Sequence, residues 1–351
     1  MERLAILGAG SFGTALAIAA ANGGTPVTLW ARREDAAEAM RQTRVNEAYL
    51  DDATIPDSVR ITADLDEVLD TSRLWLYCTP AQTTRALAEI TRARLRPEVF
   101  AFCASKGIEV GSLMTMSQVL QDVLGLPNEH VGVLYGPSHA EEVAQGIPTA
   151  LVAASENETA AHAFREAFMS QRLRVYVNDD VRGVEIAGSV KNVMAIASGM
   201  SDGLGGGDNT KAALITRGMA EIMRLGLALG ARPMTFSGLA GIGDLVVTCM
   251  SRHSRNRKLG EMMGQGYSLQ DALDTMTMVA EGVPTTQSVH ELATREGVEM
   301  PISEAVYKVL FQNLNPLIGL AELMARAPKH EDYLIGSDPE PDADEMPPLT
   351  A

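Results

Sequence analysis

The chain is poor in several residue types that mark particular protein classes. It has 3 cysteines in 351 residues, Cys78, Cys103 and Cys249. They are scattered and lack metal-ligand spacing. That excludes a disulfide framework and a thiolate metal site, and it reads as reduced core thiols in a cytoplasmic protein. Long apolar runs are also missing. None reaches the roughly 18 residues that a membrane span needs. The chain starts directly on a strand pattern, so no signal peptide is expected. Positive charge is scarce, with 29 Lys and Arg against 45 Asp and Glu and a net charge of −16. Such an excess of negative charge argues against a nucleic-acid partner. A site for an anionic substrate must therefore be a local basic island.

What is present is more specific. The chain is long enough for two cores. It opens on Leu4-Ala5-Ile6-Leu7-Gly8-Ala9-Gly10-Ser11-Phe12-Gly13-Thr14-Ala15. An apolar strand runs into a Gly-x-Gly-x-x-Gly loop and then into an Ala-rich helix. Gly8 permits the tight turn, Gly10 lets backbone approach phosphates, and Gly13 lets the helix lie close to the strand. The helix start offers free N–H groups and partial positive charge to an anion. This is a pyrophosphate-binding pattern in its confirming context.

The next strand, Pro26-Val27-Thr28-Leu29-Trp30, leads to Ala31-Arg32-Arg33-Glu34-Asp35. An acidic residue at that strand end binds the ribose 2′-hydroxyl of NAD. Here Arg32 and Arg33 occupy the region, and a guanidinium fork matches a phosphate. NADP(H) is the preferred guest, and Glu34 leaves NAD(H) admissible. The alternative is that both arginines pair with Glu34 and Asp35 on a solvated surface.

Short apolar strand patterns recur at 59–62, 74–78, 99–103, 131–134, 149–153 and 173–177, separated mostly by helical segments such as 83–93 and 113–124. Alternation of this kind implies a parallel, doubly wound α/β sheet of Rossmann type. From about Arg182 the strand signal stops, and Ala-, Met- and Leu-rich helical stretches follow. The expected division is a dinucleotide-binding domain over 1–181, an all-helical substrate domain over 182–330 and an acidic, Pro-rich tail over 331–351 that is disordered. The Met- and Ala-rich helices could also supply a homodimer face.

Several segments carry candidate chemistry. Lys191 is the only charge between Glu185 and Asp202. On a helix it shares a face with Val184, Ala187, Gly188, Met194 and Ala195. It either snorkels outward or sits buried with a lowered pKa, fit for proton transfer. Asn192 beside it could hold a substrate oxygen or merely bond a neighbouring helix. In Gly241-Ile242-Gly243-Asp244-Leu245, Asp244 could accept a substrate hydroxyl, orient a lysine or cap a helix. The run Ser251 to Lys258 crowds cations at a helix start capped by Ser254, against the helix dipole. A phosphate on Ser254, Arg255 and Asn256 would reverse that penalty. The alternative is a solvated basic face. Lys106 and Ser138 follow strand ends and so face the ligand edge of the sheet. His139, in the same loop, is read as structural.

Taken together, Gly8 to Ala15, Ser105 to Glu109, Gly136 to Ala140, Lys191-Asn192-Val193, Asn209 to Leu214, Gly241 to Leu245, Ser254-Arg255-Asn256 and Glu281-Gly282-Val283 resemble the bacterial NAD(P)-dependent sn-glycerol-3-phosphate dehydrogenases. The likeness runs from Met1 to about Leu323. It implies that Lys191 is the proton acceptor in glycerol 3-phosphate oxidation. It implies that Lys106, Gly136, Ser138, Lys191, Asp244, Ser254, Arg255 and Asn256 meet a small phosphorylated substrate. It implies cofactor contacts at Ser11, Phe12, Arg32, Arg33, Lys106, Ala140, Arg255, Val279 and Glu281. A role in glycerophospholipid synthesis is implied in the same way. The tail lies outside the resemblance.

Overall fold

The computed structural model describes residues 2–276 and 278–327, so the tail assigned above lies outside the described residues. The strands are β1 Leu4–Leu7, β2 Val27–Trp30, β3 Val45–Asn46, β4 Leu50–Thr54, β5 Val59–Thr62, β6 Leu74–Tyr77, β7 Phe100–Cys103, β8 Val131–Tyr135, β9 Thr149–Ala154 and β10 Leu173–Asn178. The main sheet has the order β10-β9-β8-β7-β6-β1-β2-β5, and β3 and β4 form a separate ribbon. β1 is parallel to both β2 and β6, with Leu7 opposite Trp30 and Tyr77. The strand order reverses there, and such a switch point opens a crevice at the carboxyl ends.

The sheet is not wholly parallel. β9 runs antiparallel to β8, and β10 follows β9. After β8 the chain spends its residues on the short helix Ala140–Ala144, which packs on the helix Ser11–Asn22. That excursion stays at the carboxyl edge instead of crossing back, so β9 re-enters from the same edge and pairs antiparallel.

Both faces of the central strands are buried, and alternate residues serve different cores. Leu4, Ile6, Leu29, Leu76 and Phe102 pack under Ser11–Asn22 and Glu158–Phe168. Ala5, Leu7, Trp75, Tyr77 and Cys103 pack with Met116–Leu124 on the other side. Helices at Glu34–Thr43, Leu65–Asp70 and Glu158–Phe168, and the β3–β4 ribbon, add to the elements read from the sequence.

From Val181 onward the elements among the described residues are all helices. The helix Val181–Gly203 is buried on all sides from Gly183 to Ser201, as an apolar helix inside a bundle must be. The helix Arg255–Gly264 crosses it closely. A Cβ on Gly199 would lie 1.9 Å from the Arg257 carbonyl, and one on Gly260 would lie 2.0 Å from the Ile196 carbonyl. Glycine at both places is what lets the two backbones touch.

One helical stretch, Pro233–Met250, has the length and hydropathy of a membrane span. It is broken by non-helical backbone at Gly241 and carries Asp244 fully buried near its end. Those features are those of a core helix, whose ion is paired inside the protein.

Candidate functional site

The glycine loop has the shape its spacing implies. Gly8 has φ +128°, and a Cβ there would press on the Cys78 carbonyl at 2.8 Å. A Cβ on Gly13 would sit 1.9 Å from the Gly8 carbonyl, so only glycine lets the helix approach. At Gly10 a Cβ would meet nothing within 4 Å. The space above Gly10 is the cradle into which a ligand can settle. The helix Ser11–Asn22 has no side-chain cap and no acid in its first turn. Its N–H groups and dipole are left for an anion. The loop is fastened from the ribbon: Asn46 Nδ2 donates to the Ala9 carbonyl at 3.0 Å and to Thr14 Oγ1 at 2.8 Å. Asn46 has no signal in the sequence, because a two-residue strand is too short to show a period. Ser11 is buried, and Phe12 packs on the same core.

At the end of β2, Arg32 and Arg33 are both exposed. Arg33 Nε lies 3.3 Å from Asp35, while Glu34 pairs with Arg41 at 2.5 Å. Arg32 has no ion pair among the described residues. The arginines are therefore only partly neutralised by their own neighbours.

Two lysines gather at one buried carboxylate, Asp244. Lys191 is 6% exposed and Asp244 1%. Lys191 Nζ donates to Asp244 Oδ1 at 2.5 Å and to Thr248 Oγ1 at 2.6 Å. Lys106 Nζ donates to Asp244 Oδ2 at 2.6 Å and to the Gly136 carbonyl at 2.9 Å, and it lies 5.7 Å over the Tyr135 ring. The snorkelling alternative for Lys191 is thus excluded, and Asp244 orients lysines. Burial pushes the Lys191 amine down to about 8; Asp244 pulls against that and Lys106 adds to it. Thr248, unread in the sequence, stands one helical turn after Asp244. That i, i+4 spacing was the signal available.

Lys106 connects this centre to the glycine loop. Its neighbour Ser105 donates to the Thr79 carbonyl, and Thr79 follows Cys78, on which Gly8 closes. Gly136 has φ +135°, and its carbonyl accepts from Ser138 Oγ at 3.0 Å as well. Ala140 is buried at the start of its helix, beside Ser11–Asn22. His139 Nε2 is buried without a partner among the described residues. Burial and the two lysines push this imidazole down to about 4, so it is neutral at physiological pH.

The basic island opens the helix Arg255–Gly264, which packs on the helix that carries Lys191. Ser254 caps the helix Arg255–Gly264 by accepting from Arg257 N at 3.2 Å. Asn256 Oδ1 accepts from Gly282 N at 2.9 Å, and a Cβ on Gly282 would also touch the Asn192 carbonyl. Asn256 and the carbonyl of Asn192, the residue after Lys191, thus meet at Gly282. Arg255 reaches the carbonyl of exposed Val279 at 2.9 Å. Glu281 Oε1 accepts from Ala81 N at 3.1 Å, which ties the helical unit to the loop after β6. Its Oε2 is buried without a partner among the described residues, and burial raises this carboxyl. An orphaned oxygen of this kind suits a donor on a bound ligand.

Comparison with known proteins shows the family. Residues 3–161 match the model of the NAD-dependent glycerol-3-phosphate dehydrogenase N-terminus, and residues 180–320 match that of its C-terminus. The chain belongs to this dehydrogenase family. A Salinibacter ruber protein named glycerol-3-phosphate dehydrogenase (NAD(P)+) 2 is 55% identical over 332 residues, covering 94% of this chain and 96% of the relative. A Chlorobium luteolum glycerol-3-phosphate dehydrogenase (NAD(P)+) is 50% identical over 329 residues, covering 93% and 99%. Among solved structures, glycerol-3-phosphate dehydrogenase from Coxiella burnetii superposes with a TM-score of 0.88 at 38% identity, covering 93% of this chain and 99% of that one.

Proposed function

We propose that this dehydrogenase interconverts dihydroxyacetone phosphate and sn-glycerol 3-phosphate with NADP(H), and also accepts NAD(H). The observation that carries this reading is one buried carboxylate, Asp244, shared by Lys191 and Lys106, with the Ser254-Arg255-Asn256 island on a helix packed against that of Lys191. A reduced nicotinamide supplies the hydride when bound. Lys191 donates its proton to the ketone oxygen as negative charge develops there. Asp244 and Thr248 hold that ammonium at one position, and Lys106 adds positive field beside it. Ser254, Arg255 and Asn256 grip the phosphate and so fix which face of the carbonyl is exposed. In oxidation Lys191 accepts the hydroxyl proton.

Cofactor contacts fall to Gly8, Gly10, Ser11, Phe12 and Gly13 at the pyrophosphate, and to Arg32 and Arg33 at the 2′-phosphate. Lys106, Ala140, Arg255, Val279 and Glu281 complete them. Gly136 and Ser138 join the substrate side. The two units divide near residue 181, where the last strand has ended and the long helix begins. A homodimer, a cytoplasmic location and a place in glycerophospholipid synthesis complete the reading. Free Cys78, Cys103 and Cys249 suit a reducing compartment.

The test is NADPH oxidation on adding dihydroxyacetone phosphate, run beside a panel of 3-hydroxy and 3-oxo acids. Turnover confined to the phosphorylated ketone supports the assignment. Turnover with an oxo acid alone, or none with any substrate, removes it.

A further inference from the structure

The cofactor preference poses a physical problem at the β2 end. Glu34 is the residue right after the arginine pair, and an ionised carboxylate there acts twice against NADP(H). It repels the 2′-phosphate, and it can accept a hydrogen bond from the 2′-hydroxyl of NAD(H). Yet Glu34 is not left to act in this way. It opens the helix Glu34–Thr43, and its Oε1 is bound by Arg41 NH2 at 2.5 Å. The same guanidinium donates to Glu38 Oε2 from Nε at 2.9 Å and from NH2 at 2.6 Å. Its third nitrogen reaches the Ile61 carbonyl on β5 at 3.4 Å. Arg41 is thus anchored to the sheet edge and to the middle of its own helix. The Glu34 carboxylate, drawn toward it, points along the helix toward the C-terminal end. Positions 34, 38 and 41 lie on one helix face, which is what allows a single fork to collect both acids.

We propose that Arg41 is a specificity-determining residue that acts through Glu34: by holding the Glu34 carboxylate back along the helix, it leaves the Arg32–Arg33 edge open to the 2′-phosphate. This rests on the reading that Arg32 and Arg33 meet that phosphate. The pair is exposed, with side-chain accessibilities of 34% and 69%, so solvent screens it and its effect is modest. Charge repulsion and a new hydroxyl acceptor both push preference the same way when Arg41 is removed.

The experiment measures kcat/KM for NADPH and for NADH in four proteins: wild type, Arg41→Met, Glu34→Gln and the double variant. Thermal unfolding of each is recorded alongside. The Arg41→Met change lowers the NADPH-to-NADH preference by about 2- to 5-fold, the scale of an exposed pair. Glu34→Gln alone leaves preference equal to or above wild type. Adding Glu34→Gln to Arg41→Met restores it, since the freed carboxylate is gone. A merely structural role would lower the melting temperature and both efficiencies together, with no change in their ratio, and that result overturns the proposal. A lowered preference that the double variant fails to restore also overturns it, because Arg41 would then act by its own charge. Arg33→Asp is the control for the underlying reading. It raises KM for NADPH far more than for NADH. Equal effects there would remove the phosphate reading itself, independently of Arg41.

Discussion

Lys191 Nζ and Asp244 Oδ1 lie 2.5 Å apart although 53 residues separate them in the chain. Lys191 comes from the buried centre of the helix Val181–Gly203, and Asp244 opens the helix Asp244–Met250. The contact exists because Asp244 has no other way to be buried. An isolated carboxylate in that place would be costly, and two ammonium groups compensate it. The same contact keeps a lysine charged where burial alone would strip its proton.

The first consequence is a pH profile. Burial brings Lys191 down to about 8 from the ordinary lysine value. With Lys191 as the proposed proton donor, reduction needs the protonated amine, so kcat for dihydroxyacetone phosphate reduction falls as pH rises through about 8. Oxidation needs the neutral amine and rises through the same range. Rates in both directions between pH 6 and 10 check this, and a flat profile in both would separate Lys191 from proton transfer.

Asp244→Asn tests the counter-ion. Asp244 raises the Lys191 pKa while Lys106 lowers it. Removing the negative charge leaves two ammonium groups facing each other, so the midpoint moves to lower pH, by roughly 1–3 units. The reduction rate at neutral pH drops accordingly. An unchanged midpoint in this variant would show that the carboxylate does not govern the lysine.

The glycine loop gives a paired prediction. Gly10→Ala points its methyl into open space, so the protein folds and melts as wild type, while KM rises for both cofactors. Gly13→Ala drives a methyl into the Gly8 carbonyl and costs stability, because backbone must shift to admit it. Circular dichroism melts and cofactor titrations separate the two. Equal melting losses in both variants would mean that Gly10 serves the fold and not the ligand.

Asn46→Ala removes two hydrogen bonds that brace this loop at Ala9 and Thr14. A buried side chain of this kind is worth about 1–3 kcal/mol when its partners are left unmet. NADPH and NADH then lose affinity by the same factor, since the pyrophosphate is common to both. A change confined to one cofactor would place Asn46 at the ribose instead.

Much of this was readable in advance, for identifiable reasons. The glycine loop announces itself because strand, turn and helix are contiguous and each glycine has a local steric cause. Lys191 is conspicuous as one charge in an apolar helix, and Asp244 as one acid among glycines. Neither could be assigned a partner, since the 53-residue separation leaves no periodic trace. Thr248 and Arg41 were within reach, as both follow their partners on one helix face. Asn46 was not, because its bonds depend on where a ribbon folds back over the loop. The reversed strand β9 was equally hidden: its apolar pattern is the same in either direction.

Lys191→Ala is the most direct test of the proton-transfer role. Its kcat with dihydroxyacetone phosphate and NADPH should fall by roughly 10²–10⁴-fold, while NADPH binding, followed by nicotinamide fluorescence, stays at the wild-type affinity. Turnover near wild type in a protein that still binds NADPH would contradict it.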